Sequence, residues 1–314
     1  MVSRGAGLLL GYAADRLLGD PQRFHPVAGF GQAATVLERR TYGDSRCRGI
    51  AHVLLLVGGP AALGWLVERR SRDGMGAALL TAAVTWAVLG ERSLEREADA
   101  VGQLLKAGEL DAARRQVSRL VGRDTADLTP DEVARAVIES VAENTGDAVV
   151  ASLAWGAIAG VPGLIAHRAA NTLDAMIGHH NPRYERFGWA AARLDDVLGL
   201  PGSRLGGCLT VIIGPDRRGS LTAWQRDARG HPSPNAGILE ASFAGALGIR
   251  LGGTNMYYGG RVEHRALMGD GRPPTHADVS RSNRLASRVG LGAVLTVASL
   301  CLLCAAMPRR PRHG

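Results

Sequence analysis

Acids, arginines and a histidine stand in four separated groups whose types and spacing could do chemistry. In the first, Arg135, Glu139 and Glu143 follow at intervals of four, and Asp147 continues the series. At 3.6 residues per turn they share one helix face. A solvated stripe of ion pairs has the same spacing and adds only ~0.2–0.5 kcal/mol per pair. The surroundings argue for more, since Arg123-Asp124 precede the series and Asn144-Thr145 interrupt its end beside an apolar run. Carboxylates against a membrane-dipping element are costly unless paired or bound to a cation. Their hard oxygens suit Mg²⁺ bridging nucleotide phosphates. The second group, Asp15, Gly19-Asp20-Pro21 and His25-Pro26, puts two acids and a histidine on a proline-punctuated loop, where turn capping is the plainer role. The third runs from Asn171 and Asp174 through Arg183-Tyr184 to Arg193, Asp195 and Asp196. The fourth is Asn235, Glu240, Asn255, Glu263 and Arg265, set among glycines.

The elements that must position these groups are helical. Thr129-Pro130-Asp131-Glu132 is a capping box with proline at the first helical position, so a helix starts there and runs at least to Glu143. Leu94, Ala98, Val101 and Leu105 keep helical spacing, as do Leu110, Ala113, Val117 and Leu120, with a break at Ala107-Gly108. Residues 91–147 therefore read as water-facing helices. Spanning ~30 Å of hydrocarbon takes about 20 apolar residues. Residues 289–307 form the strongest span, followed by Arg309, Arg310 and Arg312, which the positive-inside rule keeps cytoplasmic. Residues 50–67 and 74–90 are two more, joined by a short turn into a hydrophobic helical hairpin over 50–90. Residues 205–214 are too short to span alone, and 5–14 make half a span. The run 148–166 is apolar but holds Gly160, Pro162 and Gly163.

The expected fold is all-α: a polytopic integral membrane protein with about 4–5 membrane-embedded helices plus cytoplasmic amphipathic helices. It forms a single domain over 1–314, with a motif-rich part at 167–288. If 148–166 crossed the membrane fully, the acids before and after it would face opposite sides. One active site needs both, so the segment is expected to be re-entrant or to turn back at Gly160-Val161-Pro162-Gly163, shielded by protein.

The formal charge of +8 is carried almost wholly by arginine, Lys106 being the one lysine. Such a surface suits anionic ligands and acidic headgroups of a lipid bilayer. No nucleic-acid partner is expected, because no reader motif is present and only four Phe and five Tyr could stack bases. No GxxxxGK[ST], GxGxxG, HExxH or GxSxG occurs, which excludes a P-loop and argues against dinucleotide, zinc-protease and hydrolase sites. Cys47, Cys208, Cys301 and Cys304 are too few and scattered for a disulfide framework.

Four long stretches resemble the CobD/CbiB family, the adenosylcobinamide-phosphate synthases of cobalamin biosynthesis. They are GYAADRLLGDPQRFHPV (11–27), VSRLVGRDTADLTPDEVARAVIESVAENTGDAVV (117–150), GVPGLIAHRAANTLDAMIGHHNPRYERFGWAAARLDD (160–196) and PNAGILEASFAGALGIRLGG (234–253), with TNMYYGG following. They recur in family order and cover most of the chain outside the hairpin and the tail. Departures at Gly146, Ala148, Ser152, Arg168 and Gly199 remove none of the acids. The resemblance implies a multi-pass protein of the cell (cytoplasmic) membrane with its active face in the cytoplasm. It implies an enzyme that joins aminopropanol or its phosphate to the free carboxylate of adenosylcobyric acid, in company with other late cobalamin-pathway membrane enzymes.

Amide formation from a carboxylate needs activation, which ATP and Mg²⁺ would supply through an acyl phosphate. Glu139, Glu143, Asp147, Asp195 and Asp196 are the expected metal and phosphate ligands, with Glu139 and Glu143 also catalytic. Arg123, Arg168 and Arg193 are expected to clamp the nucleotide or the amine's phosphate, with Asp124, Asn144, Asn171, Asp174 and Asn235 lining the same site. Asp20 or His25 would take the amine proton. A corrinoid transporter or a scaffold for other cobalamin enzymes is the alternative; absence of an ATP-dependent product distinguishes the first, and normal vitamin synthesis by a motif-dead chain the second.

Overall fold

The computed structural model describes residues 1–20, 25–71, 74–179, 181–257 and 261–307. The chain starts with α1 (Val2–Leu18) and α2 (Pro26–Thr41). Then α3 (Arg46–Val53) passes through a π turn into α4 (Gly59–Arg70), giving one continuous helix. Next come α5 (Met75–Val88), α6 (Glu91–Lys106) and α7 (Leu110–Val117). The helix α8 (Pro130–Asn144) runs through a second π turn (Thr145–Val150) into α9 (Ala151–Ala159). After α10 (Val161–Ile177), α11 (Trp189–Ile213), α12 (Arg217–Asp227) and α13 (Ala236–Leu247) come strands β1 (Leu251–Tyr257) and β2 (Arg261–Met268). The described part ends with α14 (His276–Ala306); Arg309, Arg310 and Arg312 lie outside the described residues.

Among the described residues three helices are long and apolar enough to cross a membrane: Arg46–Arg70, Trp189–Ile213 and His276–Ala306. This is the architecture of a helical membrane protein. The second of them corrects the expectation for 205–214, which is the end of a 25-residue helix. Pro201 interrupts its hydrogen-bond ladder, yet the carbonyls of Asp196 and Leu198 accept from Asn235 Nδ2 (2.9 Å) and Trp155 Nε1 (2.6 Å). Outside partners of this kind let a proline sit inside an embedded helix.

The hairpin expected over 50–90 is corrected too. With 14 residues, α5 is short for a span, and it packs on α1 while α4 packs on α10. Gly7 and Gly11 of α1 meet Thr81 and Thr85 of α5 so closely that neither glycine could carry a side chain. Small residues one turn apart are what bring apolar helices together in lipid.

Within 91–147, α8 does not face water. Residues Val133, Ala134 and Ala136–Ala142 are buried among α6, α13 and α14. Its capping box at Thr129 and Glu132 is formed as expected. The all-α expectation omitted an antiparallel hairpin, β1–β2, with Leu251 opposite Met268 and Tyr257 opposite Arg261. A bulge between Leu251 and Gly253 uses Gly252 and Gly253 at φ +80° and +95°, conformations open to glycine.

At Gly160 (φ 72°) the chain reverses, and α10 packs back along α9. The turn sits beside Glu68 at the end of α4, whose Oε1 accepts the Val161 N–H at 3.2 Å and pairs with Arg4 at 3.5 Å. At 1.5 Å per residue, Asp147 and Asp174 each lie about 20 Å from this turn. The reversal therefore brings them to the same level of the bundle.

Candidate active site

The acids of three segments converge where the π turn that follows α8 meets α10 and α11. Glu143 and Asp147 come from the end of α8 and its π turn, Asp174 from α10 and Asp195 from α11. Glu143 is within electrostatic reach of Asp174, and Asp147 of Glu143, Asp174 and Asp195. Asn171, nearly one turn before Asp174, lies within hydrogen-bonding reach of Asp195. Thr145 Oγ1 bonds back to Val141 O at 2.6 Å inside the widened turn. Such π turns often mark functional positions.

Glu143 is exposed to solvent and lines an open recess shared with the β-hairpin. Withdrawal from bulk water raises its carboxyl above the ordinary range; Arg265 opposes the shift, while Glu139 and Asp174 add to it. Burial likewise raises Asp147 well above its ordinary value, and the neighbouring acids reinforce the effect. Among the described residues neither side chain has an ion pair or hydrogen-bond partner, so both carboxylates are open to a ligand.

Arg168 of α10 lies between this cluster and the N-terminal loop, with Asp20 and Asp147 as the opposite charges that act on it. His25 caps α2 through Nδ1, which accepts the Val27 N–H at 3.1 Å. That bond leaves the proton on Nε2, 3.4 Å from Asp20 Oδ2. His25 thus turns its Nε2 edge to the Asp20 carboxylate.

Glu139 is differently placed. It is 5% exposed, pairs with Arg123 at 2.9 Å and accepts the Gly252 N–H at 2.9 Å. Arg123 also donates to Asn255 Oδ1, and Arg135 donates to the carbonyls of Gly252 and Thr254. These bonds fasten the β-hairpin to α8. The hairpin in return brings Asn255, Tyr257 and Arg265 to a recess of about 120 Å³ shared with Glu139 and Glu143. Sequence reasoning noted Asn255 and Arg265 without placing them; glycine pairs on both sides of alternating residues are the hairpin signal that could have done so.

Other expected site residues lie elsewhere. Asp124 caps a turn by accepting the Ala126 N–H at 3.0 Å. Asn144 bonds back to Ser140 O at 2.9 Å. Arg193 pairs with Asp196 at 3.3 Å in an outer cleft of about 740 Å³ that also holds Arg204 and Arg229. Asp195 and Asp196, as helix neighbours, thereby face different sides. Asn235 is 2% exposed and ties α11 to α13 through Asp196 O, Ser203 Oγ (2.9 Å) and Arg204 Nη1 (2.7 Å).

No group of three or more His, Cys, Asp or Glu side chains among the described residues could by itself hold a metal ion. The five acids expected to bind metal therefore do not form a protein cage. The donor chemistry still fits Mg²⁺, which keeps several waters and is held by one or two carboxylates together with substrate phosphates.

Residues 8–286 match the family model described as CobD/Cbib protein. The chain is 47% identical over 302 residues to the cobalamin biosynthesis protein CobD of Mycobacterium tuberculosis, covering 95% of this chain and 96% of that one. It is 42% identical to the protein of the same name from Geobacter metallireducens (90% and 91% covered) and 40% identical to that from Chromobacterium violaceum (92% and 94%). No solved structure matches the chain. Family match, helical membrane architecture and convergent acids together make this chain a member of the CobD/CbiB family of cobalamin biosynthesis proteins.

Proposed function

We propose that this chain is an adenosylcobinamide-phosphate synthase. It would attach (R)-1-amino-2-propanol or its O-phosphate through an amide bond to the free propionate carboxylate of (adenosyl)cobyric acid. The observation that carries the reading is the meeting of Glu143, Asp147 and Asp195 beside Asp174, Arg168 and the His25–Asp20 pair. Family membership supports the pathway and a corrinoid substrate.

When bound, Mg²⁺ and ATP would supply activation, the terminal phosphoryl group going to the carboxylate with release of ADP, so that the amine could displace inorganic phosphate as the C–N bond forms. Glu143, Asp147 and Asp195 are the carboxylates free to hold the cation against the phosphates. Asn171 bonds to Asp195 from the next helix. The Asp20 carboxylate, which faces His25 Nε2, takes the proton that the amine nitrogen loses as the amide forms. Glu139 and Arg123 act at one remove, by keeping the hairpin and Glu143 in place. Arg193, in the outer cleft, is not part of this centre.

Because the reversal at Gly160 brings Asp147 and Asp174 to one level, both acid sets face the same side of a membrane, and the supply of ATP makes that side the cytoplasmic face of the cell membrane. The test is reconstitution in lipid with cobyric acid, Mg²⁺, ATP and either aminopropanol or its phosphate, read by product mass. Amide product that requires ATP is expected, and the preferred amine identifies the natural one. No product under any combination, from protein that is folded and in the bilayer, overturns the proposal.

A further inference from the structure

Arg168 is a half-buried cation for which no side-chain ion pair is found among the described residues. Its Nε is buried with no hydrogen-bond partner among the described residues, and only the longer-range charges of Asp20 and Asp147 act favourably on it. On its other side lies a cavity of about 370 Å³ between α2, α4, α5 and α10. Phe30, Pro60, Val84, Ile165 and Thr172 are among its walls, and among the described residues Arg168 is its one charged lining residue. α10 thus turns Asn171 and Asp174 toward the acids and Ile165 and Thr172 toward the cavity, with Arg168 at the border.

An apolar cavity needs no charge to hold a hydrocarbon. A half-buried guanidinium with no paired acid, set at the edge of apolar walls, points to an anion that arrives with the ligand. ATP and a small phosphorylated amino alcohol are too polar to match those walls, and they bring several charges rather than one. A molecule with an apolar edge and a single carboxylate matches both features, because the planar guanidinium fork fits a carboxylate with two parallel hydrogen bonds. We infer that this cavity receives the edge of the corrinoid and that Arg168 grips its free carboxylate between the acid cluster and the His25–Asp20 pair. The assignment rests on the function proposed above and names the part of the site that selects the acid substrate. The cavity lies near the lower end of the ~300–1,000 Å³ of ligand sites, so it takes the reacting side chain and the adjoining ring edge rather than the whole macrocycle.

The test is equilibrium dialysis of the full-length purified protein against cobyric acid and against the analogue whose free carboxylate is a carboxamide, followed by corrinoid absorbance. The wild type is expected to prefer the acid by at least tenfold. Arg168→Leu should lower acid affinity at least tenfold and leave amide affinity unchanged, removing the preference. Val84→Phe, which fills the cavity, should weaken both ligands. An acid preference that survives Arg168→Leu overturns the inference, as does unchanged corrinoid binding in both variants with loss of co-purifying anionic lipid by mass spectrometry. Turnover of the same preparations separates the two claims: wild-type product formation with unaltered acid preference in Arg168→Leu sinks only the cavity assignment, and Arg168-dependent acid preference without any amide product sinks only the proposed reaction.

Discussion

Buried charge is handled in two different ways on the two sides of Glu143. Toward the β-hairpin, Arg123 and Arg135 are paired with Glu139, Asn255 and backbone carbonyls. Toward α10 and α11, Glu143 and Asp147 crowd against Asp174 and Asp195, and burial holds the first two above their ordinary range. The comparison teaches that nearness to a motif does not make an acid reactive. Where both oxygens are engaged by the protein the carboxylate is a fastening, and where they are not it is kept for a ligand.

The largest effect should come from breaking the fastened side. Arg123→Met leaves Glu139 buried and alone, and removing one partner of a buried pair costs about 3–5 kcal/mol. The unfolding midpoint in detergent should fall accordingly, and the double variant Arg123→Met/Glu139→Leu should recover most of the loss. Recovery failing in the double variant would mean that Glu139 has a role beyond the pair.

On the other side, Glu143→Gln should leave folding intact and lower turnover ~10²- to 10³-fold, the range for losing one preorganised electrostatic group. It should also raise the Mg²⁺ concentration needed for half-maximal rate. A wild-type Mg²⁺ response would remove Glu143 from the metal site.

The raised carboxyls give the comparison a pH signature. An acid whose folded value lies above its unfolded one adds stability that is complete below the unfolded value and is lost as pH rises through the folded value. Ligand-free protein should therefore lose stability as pH rises from the ordinary carboxylate range toward neutrality, through Glu143 and Asp147. Glu143→Gln should flatten part of that slope, as followed by unfolding midpoints across a pH series. An unchanged slope would show that Glu143 is not held neutral.

The smallest expected effect lies at the turn that sets the register. Gly160 has φ 72° and ψ −147°, a region essentially reserved for glycine, and a side chain there would press on Glu68 and Arg4. Gly160→Ala should cost about 1–3 kcal/mol and lower activity through misalignment of Asp147 and Asp174. Substrate affinity at Arg168, on the same helix, should shift with it in the dialysis assay.

Legibility in the sequence followed the range of the interactions. The capping box at Thr129 and the C-terminal apolar helix are local patterns, and both are present. The four-residue spacing put Glu139 and Glu143 on one helix face, but spacing carries no information about the partner across from that face. Arg123, Gly252 and Asn255 are distant in the chain, so the different fates of the two glutamates were invisible. The β-hairpin is short and glycine-rich, which weakens a two-residue alternation. Helix α11 was hidden by Pro201 and by the charges near its start, whose cost is offset by contacts from α9 and α13. Asp195 and Asp196 looked like one paired site, yet consecutive helical residues point about 100° apart, and only Asp195 joins the acids.

The most direct test is the rate of amide formation in lipid vesicles by wild type, Asp147→Asn and Asp111→Asn, each normalised to folded protein. Asp111 is a solvent-exposed acid paired only with Arg114, so its variant controls for loss of one negative charge. A fall of ~100-fold or more in Asp147→Asn, with Asp111→Asn near the wild-type rate, is the predicted result. Wild-type turnover in Asp147→Asn would contradict the claim that the unpaired acids are the working ones.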